Sequence, residues 1–285
     1  MEPGAFGVDV GGTAIKTWSA DGAGPSIPTP RGDATGERTA AAIAALVAAR
    51  AEPVTAIGVA VPGVVDDAAG VCRFSMNLGW RDVPVRALVQ RATGLPVAVT
   101  HDVRAGAVAE RATGAGAGRP GALLFAPIGT GLAIAVVGDD GRPAGSPWAG
   151  EVGQLRYPSG PHAGLRVEEI ASAGGLAARF GAPDAATVLA AVTAGDPRAA
   201  ACWDDTVEAL ADVLAWACAV VAPATIAIGG GLALAADALF VPLERALRRR
   251  LGDLPAPALV AALHGPSAGS VGAALLADRL LRQRR

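Results

Sequence analysis

Short apolar stretches alternate with longer amphipathic ones along almost the whole chain. Phe6, Val8 and Val10 occupy every second position, as in a half-buried strand. Val85–Thr93 instead has the spacing of an amphipathic helix and stops at Gly94. Strands that alternate with helices predict an α/β fold with mixed sheets. The other predicted strands are Ala56–Val61, Val97–Thr100, Ala122–Pro127, Leu132–Val137 and Thr225–Ile228, and the other predicted helices are Thr39–Ala51, Val103–Thr113, Val167–Phe180, Ala185–Ala194, Asp204–Val221, Ala238–Arg250 and Gly272–Arg284.

A glycine turn closes the first strand, in the segment Asp9-Val10-Gly11-Gly12-Thr13. Gly11 and Gly12 permit a tight turn whose backbone N–H groups can face an anion, and Thr13 adds a hydroxyl. The segment lacks both the Gly-Lys-Ser/Thr of a P-loop and the third glycine of a dinucleotide fingerprint. We interpret it as a hairpin that holds a phosphate, with Asp9 facing that phosphate across a magnesium ion. The alternative is an ordinary glycine hairpin.

The second half of the chain begins in a similar way. A predicted strand ends at Gly129-Thr130-Gly131 and another strand returns. Later, a strand runs into Gly229-Gly230-Gly231 before a helix, which suits the approach of an adenosine or an anion. The glycine-rich stretch 114–121 separates the halves. The predicted domains are therefore residues 1–118, completed by the C-terminal helix 273–285, and residues 119–272, with a nucleotide held between them.

Composition narrows the classes of function. The chain has 285 residues, of which 52% are hydrophobic, and its formal net charge of −2 argues against nucleic-acid binding by bulk electrostatics. Lys16 is the only lysine and stands beside the glycine turn, although codon bias alone could leave a surface lysine there. Cys72, Cys202 and Cys218 have no metal-site spacing. Neither a signal peptide nor a membrane-spanning run is evident, so we expect a soluble, cytoplasmic protein.

In their order and spacing, the motifs resemble those of the ROK family of sugar kinases, in the actin and hexokinase superfamily. The resemblance implies a two-domain actin/hexokinase-like (ribonuclease H-like) α/β fold with mixed sheets, an interdomain cleft and a homodimer. The segments that carry it are Asp9–Thr13, Val61–Gly63, Asn77–Trp80, Gly94–Val97, Asp102, Gly129–Gly131, Gly150–Gly153, Ile228–Gly231 and Gly265–Ala274.

The resemblance also implies roles for individual residues. Asp102 is the general base that takes a proton from the acceptor hydroxyl, and a helix N-cap is the compatible alternative. The implied acceptor-binding residues are Gly63, Asn77, His101, Asp102, Glu151, Gln154 and Glu168. A shift of one residue, from Glu168 to Glu169, stays open. For Asn77, Glu151 and Glu168, a surface or capping role is the alternative. The implied residues for ATP and Mg²⁺ are Asp9, Gly11, Gly12, Thr13, Lys16, Gly129, Thr130, Gly131, Gly229, Gly230 and Gly231, with Asp9 at the magnesium ion.

Departures from the family pattern put the acceptor in question. His101 replaces the usual Asn before the base, Arg104 replaces an Asn or Asp, and Gln154 replaces a His. Ala133 and Ala135 stand where the family has glycines, and the cysteine cluster that binds structural zinc in many members is missing. We therefore expect no zinc site, and an acceptor other than plain glucose, such as an amino sugar or a C7-cyclitol.

The sequence thus predicts an ATP-dependent kinase that phosphorylates a hydroxyl, the primary one, of a hexose or sugar-like polyol. One alternative is a glucokinase that uses ATP or polyphosphate, since Ala14-Ile15-Lys16 is reminiscent of polyphosphate-using relatives. Another is a non-catalytic sugar-sensing protein, because the family includes repressors. Only five residues precede Phe6, so no N-terminal helix-turn-helix is expected, and retention of Asp9 and Asp102 argues against an inactive binding protein.

Overall fold

The computed structural model describes residues 1–145 and 147–283. The strands are β1 (Ala5–Val10), β2 (Ala14–Ser19), β3 (Gly22–Pro28), β4 (Ala56–Val61), β5 (Val64–Asp66), β6 (Val71–Ser75), β7 (Trp80–Val83), β8 (Val97–His101), β9 (Leu123–Pro127), β10 (Ala135–Val137), β11 (Thr225–Gly229) and β12 (Ala258–Ala261). The α-helices are α1 (Glu37–Ala48), α2 (Val85–Thr93), α3 (Asp102–Thr113), α4 (Val167–Ala171), α5 (Ala173–Phe180), α6 (Ala185–Thr193), α7 (Pro197–Val221), α8 (Asp237–Leu251) and α9 (Ala268–Gln283). Short 3₁₀ turns cover Val152–Gln154, Gly231–Ala235 and Gly265–Ser267.

The chain divides into two compact units, each with its own core. Unit 1 comprises Met1–Ala112, Pro143–Ala149 and Pro266–Arg285, and unit 2 comprises Thr113–Arg142 and Gly150–Gly265. The domain limits predicted from the sequence, at residues 118 and 272, stay a prediction. No helix in the described part of the chain has the length and apolar character needed to cross a membrane.

The main sheets of the two units share one pairing pattern. In unit 1 the order is β3-β2-β1-β4-β8, in which β1 pairs antiparallel with β2 and parallel with β4, and β4 pairs parallel with β8. In unit 2 the order is β10-β9-β11-β12, in which β9 pairs antiparallel with β10 and parallel with β11. Both sheets therefore combine a hairpin with parallel strands. Unit 1 also has a three-stranded antiparallel sheet, β5-β6-β7.

Helix α9 is deeply buried in its N-terminal half. It begins at Ala268, four residues before the predicted start, and its first two turns are buried while Arg282 stays exposed. Glycines on the sheet permit this packing, because a Cβ added at Gly58 would lie 1.8 Å from the backbone oxygen of Ala273. The predicted end at Arg284, and the last two residues of the predicted segment 273–285, lie outside the described residues.

Three further predictions about elements were wrong in detail. The single helix predicted over Val167–Phe180 is broken at Ser172, whose backbone is extended and whose side chain caps α5. Helix α7 begins at Pro197 and not at Asp204, because the Asp196 side chain accepts hydrogen bonds from the first N–H groups of the helix. The strand predicted over Leu132–Val137 is regular only in β10, and β3, β5, β6, β7 and β12 were not predicted.

Candidate functional site

The first glycine turn of unit 1 is held closed from two sides. The N–H of Gly11 donates to the oxygen of Ala14 over 2.9 Å, which closes the β1–β2 hairpin. Thr29, which is buried, donates its hydroxyl to the Gly11 oxygen over 2.6 Å, and its N–H donates to the Thr13 oxygen over 3.0 Å. Gly12 and Thr13 remain exposed. The turn is thus preorganised, with its tip open to a ligand.

Asp9 lies at the base of this turn, opposite Lys16 in the hairpin register. A Cβ added at Gly269 would lie 2.7 Å from the Asp9 Cγ, so the start of α9 closes over the carboxylate. Burial and the neighbouring carboxylate of Asp102 raise the pKa of Asp9 to about 7, although Lys16 and His101 favour the ionised form. This carboxylate therefore lacks enough positive charge around it to be fully ionised at neutral pH. Lys16 itself donates to the oxygen of Pro266 over 3.1 Å.

Asp102 is the first residue of α3, directly after β8. Its Oδ1 accepts a hydrogen bond from the N–H of Val103 over 2.8 Å and lies 2.9 Å from Nε2 of His101. Its side chain is 34% exposed, whereas that of His101 is 7% exposed. Burial favours the protonated carboxyl, but His101 and the Val103 N–H outweigh it and hold the pKa of Asp102 below its usual value. An ionised, reachable carboxylate at a helix start can accept a proton from a ligand.

The other predicted acceptor-binding residues of unit 1 lie near the β5-β6-β7 sheet. Asn77 is exposed in the connection between β6 and β7. A Cβ added at Gly12 would lie 3.4 Å from the Cβ of Asn77. Gly63 has φ of 109°, and a Cβ there would lie 2.2 Å from the Phe74 oxygen. Both the backbone conformation and the space therefore require glycine at position 63. Asn77 reaches the first glycine turn, whereas Gly63 has a packing role in the structure.

Arg104 forms several hydrogen bonds within unit 1. Its guanidinium is buried and donates to a carboxylate oxygen of Asp67 over 2.6 Å, to the Val65 oxygen over 2.8 Å and to the Pro147 oxygen over 3.1 Å. Asp67 also accepts from the hydroxyl of Thr100 over 2.6 Å. The arginine thereby ties the first turn of α3, which carries Asp102, to the connection after β5.

The second glycine turn, Gly129–Gly131 in unit 2, rests on the start of α5. The Ser172 hydroxyl donates to the Thr130 oxygen over 2.9 Å, and the N–H of Gly174 donates to the Gly129 oxygen over 3.3 Å. A Cβ at Gly174 would lie 2.5 Å from the Thr130 oxygen. The break between α4 and α5 at Ser172 thus serves to support this turn.

The third glycine segment, Gly229–Gly231, meets the second one through the pairing of β9 with β11. The N–H of Ile128 donates to the Gly229 oxygen over 2.9 Å, and Gly230, with φ of 74°, packs against the Ile128 backbone. The helix predicted to follow, Ala238–Arg250, is present as α8, which begins at Asp237. A 3₁₀ turn over Gly231–Ala235 lies between the glycines and this helix. The glycines therefore offer a close backbone approach and not the N-terminus of a long helix.

Glu168 and Glu169 have different surroundings on α4. Glu169 caps the helix, because its Oε2 accepts from the N–H of Arg166 over 2.7 Å, and this bond is the main cause that lowers its pKa. Glu168 faces the second glycine turn, since a Cβ at Gly131 would lie 3.0 Å from its Oε2 and one at Gly153 3.2 Å. Of the two carboxylates left open by the sequence, Glu168 is the one that lies at the candidate site.

Glu151 directly precedes the 3₁₀ turn Val152–Gln154, and Gln154 is the last residue of this turn, which lies beside Glu168. A Cβ at Gly153 would lie 2.2 Å from the Leu132 oxygen, so this turn packs directly on the backbone that follows Gly131. Unit 2 thus brings together the second and third glycine segments with Glu151, Gln154 and Glu168.

We predict that the protein holds no structural zinc. The loop between Arg156 and Arg166 is closed by backbone bonds between Tyr157 and Leu165 and between Gly164 and Tyr157, with the His162 ring 5.7 Å from that of Tyr157. Zinc sites need thiolate or imidazole ligands at short, repeated spacings. Elemental analysis of the untagged protein should give far less than one zinc per chain, and a chelator should leave the melting temperature unchanged. About one tightly held zinc per chain would contradict this.

Several of these supporting residues were not predicted from the sequence. Thr29, Ser172 and Arg166 belong to none of the motifs, and Gly269 lies within the segment Gly265–Ala274 but had no predicted contact with Asp9. Of these residues, only Ser172 gave a local signal in the sequence, because serine is favoured at the N-cap of a helix.

Comparisons with known proteins agree with the fold. The family model described as the ROK family matches residues 5–280. A glucokinase from Streptomyces coelicolor is 30% identical over an alignment of 310 residues that covers 95% of this chain and 96% of the relative. The crystal structure of a ROK hexokinase from Thermus thermophilus is 31% identical, has a TM-score of 0.85 and covers 98% of this chain and 99% of that one. A ROK family glucokinase from Streptomyces griseus, solved in complex with glucose and AMPPNP, is 28% identical with a TM-score of 0.77, over 96% and 99% of the two chains.

Proposed function

The chain belongs to the ROK family and is a sugar kinase, and we propose that it transfers the γ-phosphate of ATP to a hydroxyl, the primary one, of a hexose or sugar-like polyol. The observation that carries this proposal is the unequal pair of carboxylates in unit 1. Asp102 has a lowered pKa and is partly exposed, whereas the pKa of Asp9 is raised to about 7. Carboxylates whose pKa values are pushed apart take different roles in acid–base chemistry.

In this proposal Asp102 is the general base. Its carboxylate takes the proton from the acceptor hydroxyl, the oxygen forms a bond to the γ-phosphorus, and the bond from that phosphorus to the bridging oxygen of ADP breaks. His101 and the N–H of Val103 hold the carboxylate ionised and oriented. The remaining work is positioning, because phosphoryl transfer asks little covalent chemistry of the protein.

Asp9 is the residue proposed to hold Mg²⁺. The donor set fits the ion, because Mg²⁺ is usually bound through one or two carboxylates together with substrate phosphates and waters. Burial and the charge of Asp102 raise the pKa of Asp9, and a cation bound there would favour the ionised carboxylate. When bound, Mg²⁺ would neutralise charge on the phosphates. No set of three or more His, Cys, Asp or Glu side chains that could hold a metal occurs among the described residues.

Backbone N–H groups of the glycine segments are proposed to contact the nucleotide. The glucokinase from Streptomyces griseus was solved with AMPPNP, an ATP analogue, which supports ATP as the donor. The residues proposed for ATP are Gly11, Gly12, Thr13, Lys16, Gly129, Thr130, Gly131, Gly229, Gly230 and Gly231, and those proposed for the acceptor are Gly63, Asn77, His101, Asp102, Glu151, Gln154 and Glu168. A cytoplasmic homodimer, expected from the family resemblance, stays a prediction.

We predict that plain glucose is not the best acceptor. His101 directs Nε2 to Asp102, and Gln154 offers an amide where the family has a histidine, so two hydrogen-bonding groups differ from the family pattern. A mismatched buried polar group costs about 1–3 kcal/mol, which corresponds to roughly 5- to 150-fold in kcat/KM. The measurement is kcat/KM for hexoses, amino sugars, N-acylated amino sugars and C7-cyclitols, with ATP and polyphosphate compared as donors.

The panel separates the alternatives. Higher kcat/KM with a modified hexose or cyclitol and ATP would support the proposal, and glucose winning by about tenfold would end the acceptor hypothesis. Faster turnover with polyphosphate would favour the alternative donor. Sugar binding without phosphorylation by either donor would favour the sensing protein and overturn the proposed reaction.

A further inference from the structure

Arg166 places a guanidinium among the proposed acceptor-binding residues of unit 2. Its Nη1 lies 2.8 Å from Oε1 of Glu168 and donates to Oε1 of Gln154 over 3.3 Å. Its Nε lies 3.4 Å from the capping carboxylate of Glu169. One side chain therefore joins two residues that the proposed function assigns to the acceptor.

The backbone of Arg166 is fixed independently of these side-chain contacts. It pairs with Arg156 in an isolated antiparallel bridge, and its N–H donates to Glu169. The next residue, Val167, donates its N–H to the Leu155 oxygen over 2.8 Å. These backbone bonds fix the point from which the side chain extends toward Glu168 and Gln154.

The two oxygens of Glu168 have separate surroundings. Oε1 is paired with Arg166, while Oε2 lies at Gly131 and Gly153, beside the second glycine turn. The Glu168 side chain is only 16% exposed, so the pair is screened less by water than an ion pair at the surface. Glu168 can therefore accept a hydrogen bond from an acceptor through Oε2, but its negative charge is already balanced by Arg166.

We propose that Arg166 is a specificity-determining residue that makes the Glu168 subsite select an uncharged group, a hydroxyl or an acylated amine, over an ammonium group. The inference rests on the proposed function, since it takes Glu168 and Gln154 as acceptor-binding residues. A protonated amine beside Glu168 would meet the fixed guanidinium at close range, and like charges at close range repel. The acceptor class is thereby narrowed to neutral hexoses, N-acylated amino sugars and cyclitols without a free amine at this position.

The test compares glucose with 2-amino-2-deoxyglucose and 3-amino-3-deoxyglucose, below the pKa of their amines. Arg166→Gln should raise the ratio of kcat/KM for at least one amino sugar to that for glucose by roughly fivefold or more, because it frees the charge of Glu168. Arg166→Lys, which keeps a cation, should leave that ratio near the wild-type value. In the double variant Arg166→Gln with Glu168→Gln, the gain should disappear, since no carboxylate remains to attract the ammonium.

Arg156→Gln is the matched control, because Arg156 faces Arg166 across the bridge and donates to the Gly164 oxygen. Its ratio should stay at the wild-type value. An unchanged ratio in a folded, active Arg166→Gln protein would overturn the inference and leave the proposed kinase intact. So would an equal loss with all acceptors together with a raised KM for ATP, since that pattern indicates a structural role. A wild-type protein that phosphorylates no polyol would overturn the proposed function itself, and the inference with it.

Discussion

Replacing Asp102 by asparagine is expected to lower kcat by about 100-fold or more, the range for loss of a general base. The amide has nearly the shape of the carboxylate but cannot take the proton of the acceptor hydroxyl. The KM for ATP should change little, because the change removes proton transfer and not a nucleotide contact.

The fold should survive this replacement. Oδ1 of asparagine can still accept from the N–H of Val103, and asparagine is a good residue at the start of a helix. His101 also keeps a polar partner within reach. The loss of turnover can therefore be assigned to chemistry, provided that circular dichroism and the melting temperature stay close to those of the wild type.

Asp237→Asn is a matched control, since Asp237 is likewise the first residue of a helix, α8, but is exposed and belongs to no proposed site. It should retain wild-type kcat. If the folded Asp102→Asn protein turned over at a near-normal rate, Asp102 would have no part in the mechanism, and another group would have to accept the proton.

Elements with a strong local signal could be predicted from the sequence. Strand β4 and helix α2 have the predicted bounds, since β4 is bounded by Pro62-Gly63 and α2 stops at Gly94. The predicted α/β, actin/hexokinase-like fold is also confirmed by the mixed sheets and the ROK structures. The alternation of apolar and polar residues does not reveal β5, β6 and β7. These strands are only three to five residues long, and their buried and exposed positions do not alternate regularly.

The supporting contacts of the candidate site could not be predicted in this way. Gly269 lies against Asp9 although about 260 positions separate them in the chain, and only the packing of α9 on the sheet brings them together. Arg104 gave no signal for its role, because an arginine two residues after Asp102 could equally point to solvent. The structure pairs it with Asp67, which is remote in sequence. Family motifs identify residue types, while tertiary packing decides which of them are neighbours.

Asp9→Asn is expected to stabilise the ligand-free protein at alkaline pH while it weakens catalysis. Burial and the charge of Asp102 raise the pKa of Asp9 from 3.8 to about 7 in the folded state. The folded protein therefore binds a proton that the unfolded chain has released between these two pH values. The contribution of Asp9 to stability is most favourable below pH 3.8 and is lost as the pH rises through about 7.

Asparagine removes this cost because it cannot ionise. The whole pKa difference would correspond to a change of about 4 kcal/mol in the free energy of unfolding. Because the Asp9 side chain is partly exposed, we expect Asp9→Asn to increase the free energy of unfolding by roughly 2 kcal/mol at about pH 8. At about pH 4 the gain should nearly vanish, because Asp9 is then protonated in the folded protein while the unfolded chain, with a pKa of 3.8, has released its proton only in part, so that little of the cost remains. The melting temperature measured across this pH range gives the difference directly.

The same replacement should remove the proposed ligand of Mg²⁺. Loss of one charged partner is expected to lower kcat/KM for ATP by about 10- to 100-fold. Saturating MgADP should raise the melting temperature of the wild type, as any ligand of the native state does, and raise that of Asp9→Asn much less.

The control is Asp204→Asn, which removes an exposed carboxylate on α7 and should match the wild type in every measurement. Asp9→Asn with full activity and an undiminished response to MgADP would exclude Asp9 from the magnesium site. A stability difference independent of pH would instead contradict the raised pKa, because only an ionisation that differs between folded and unfolded chains makes that difference change with pH.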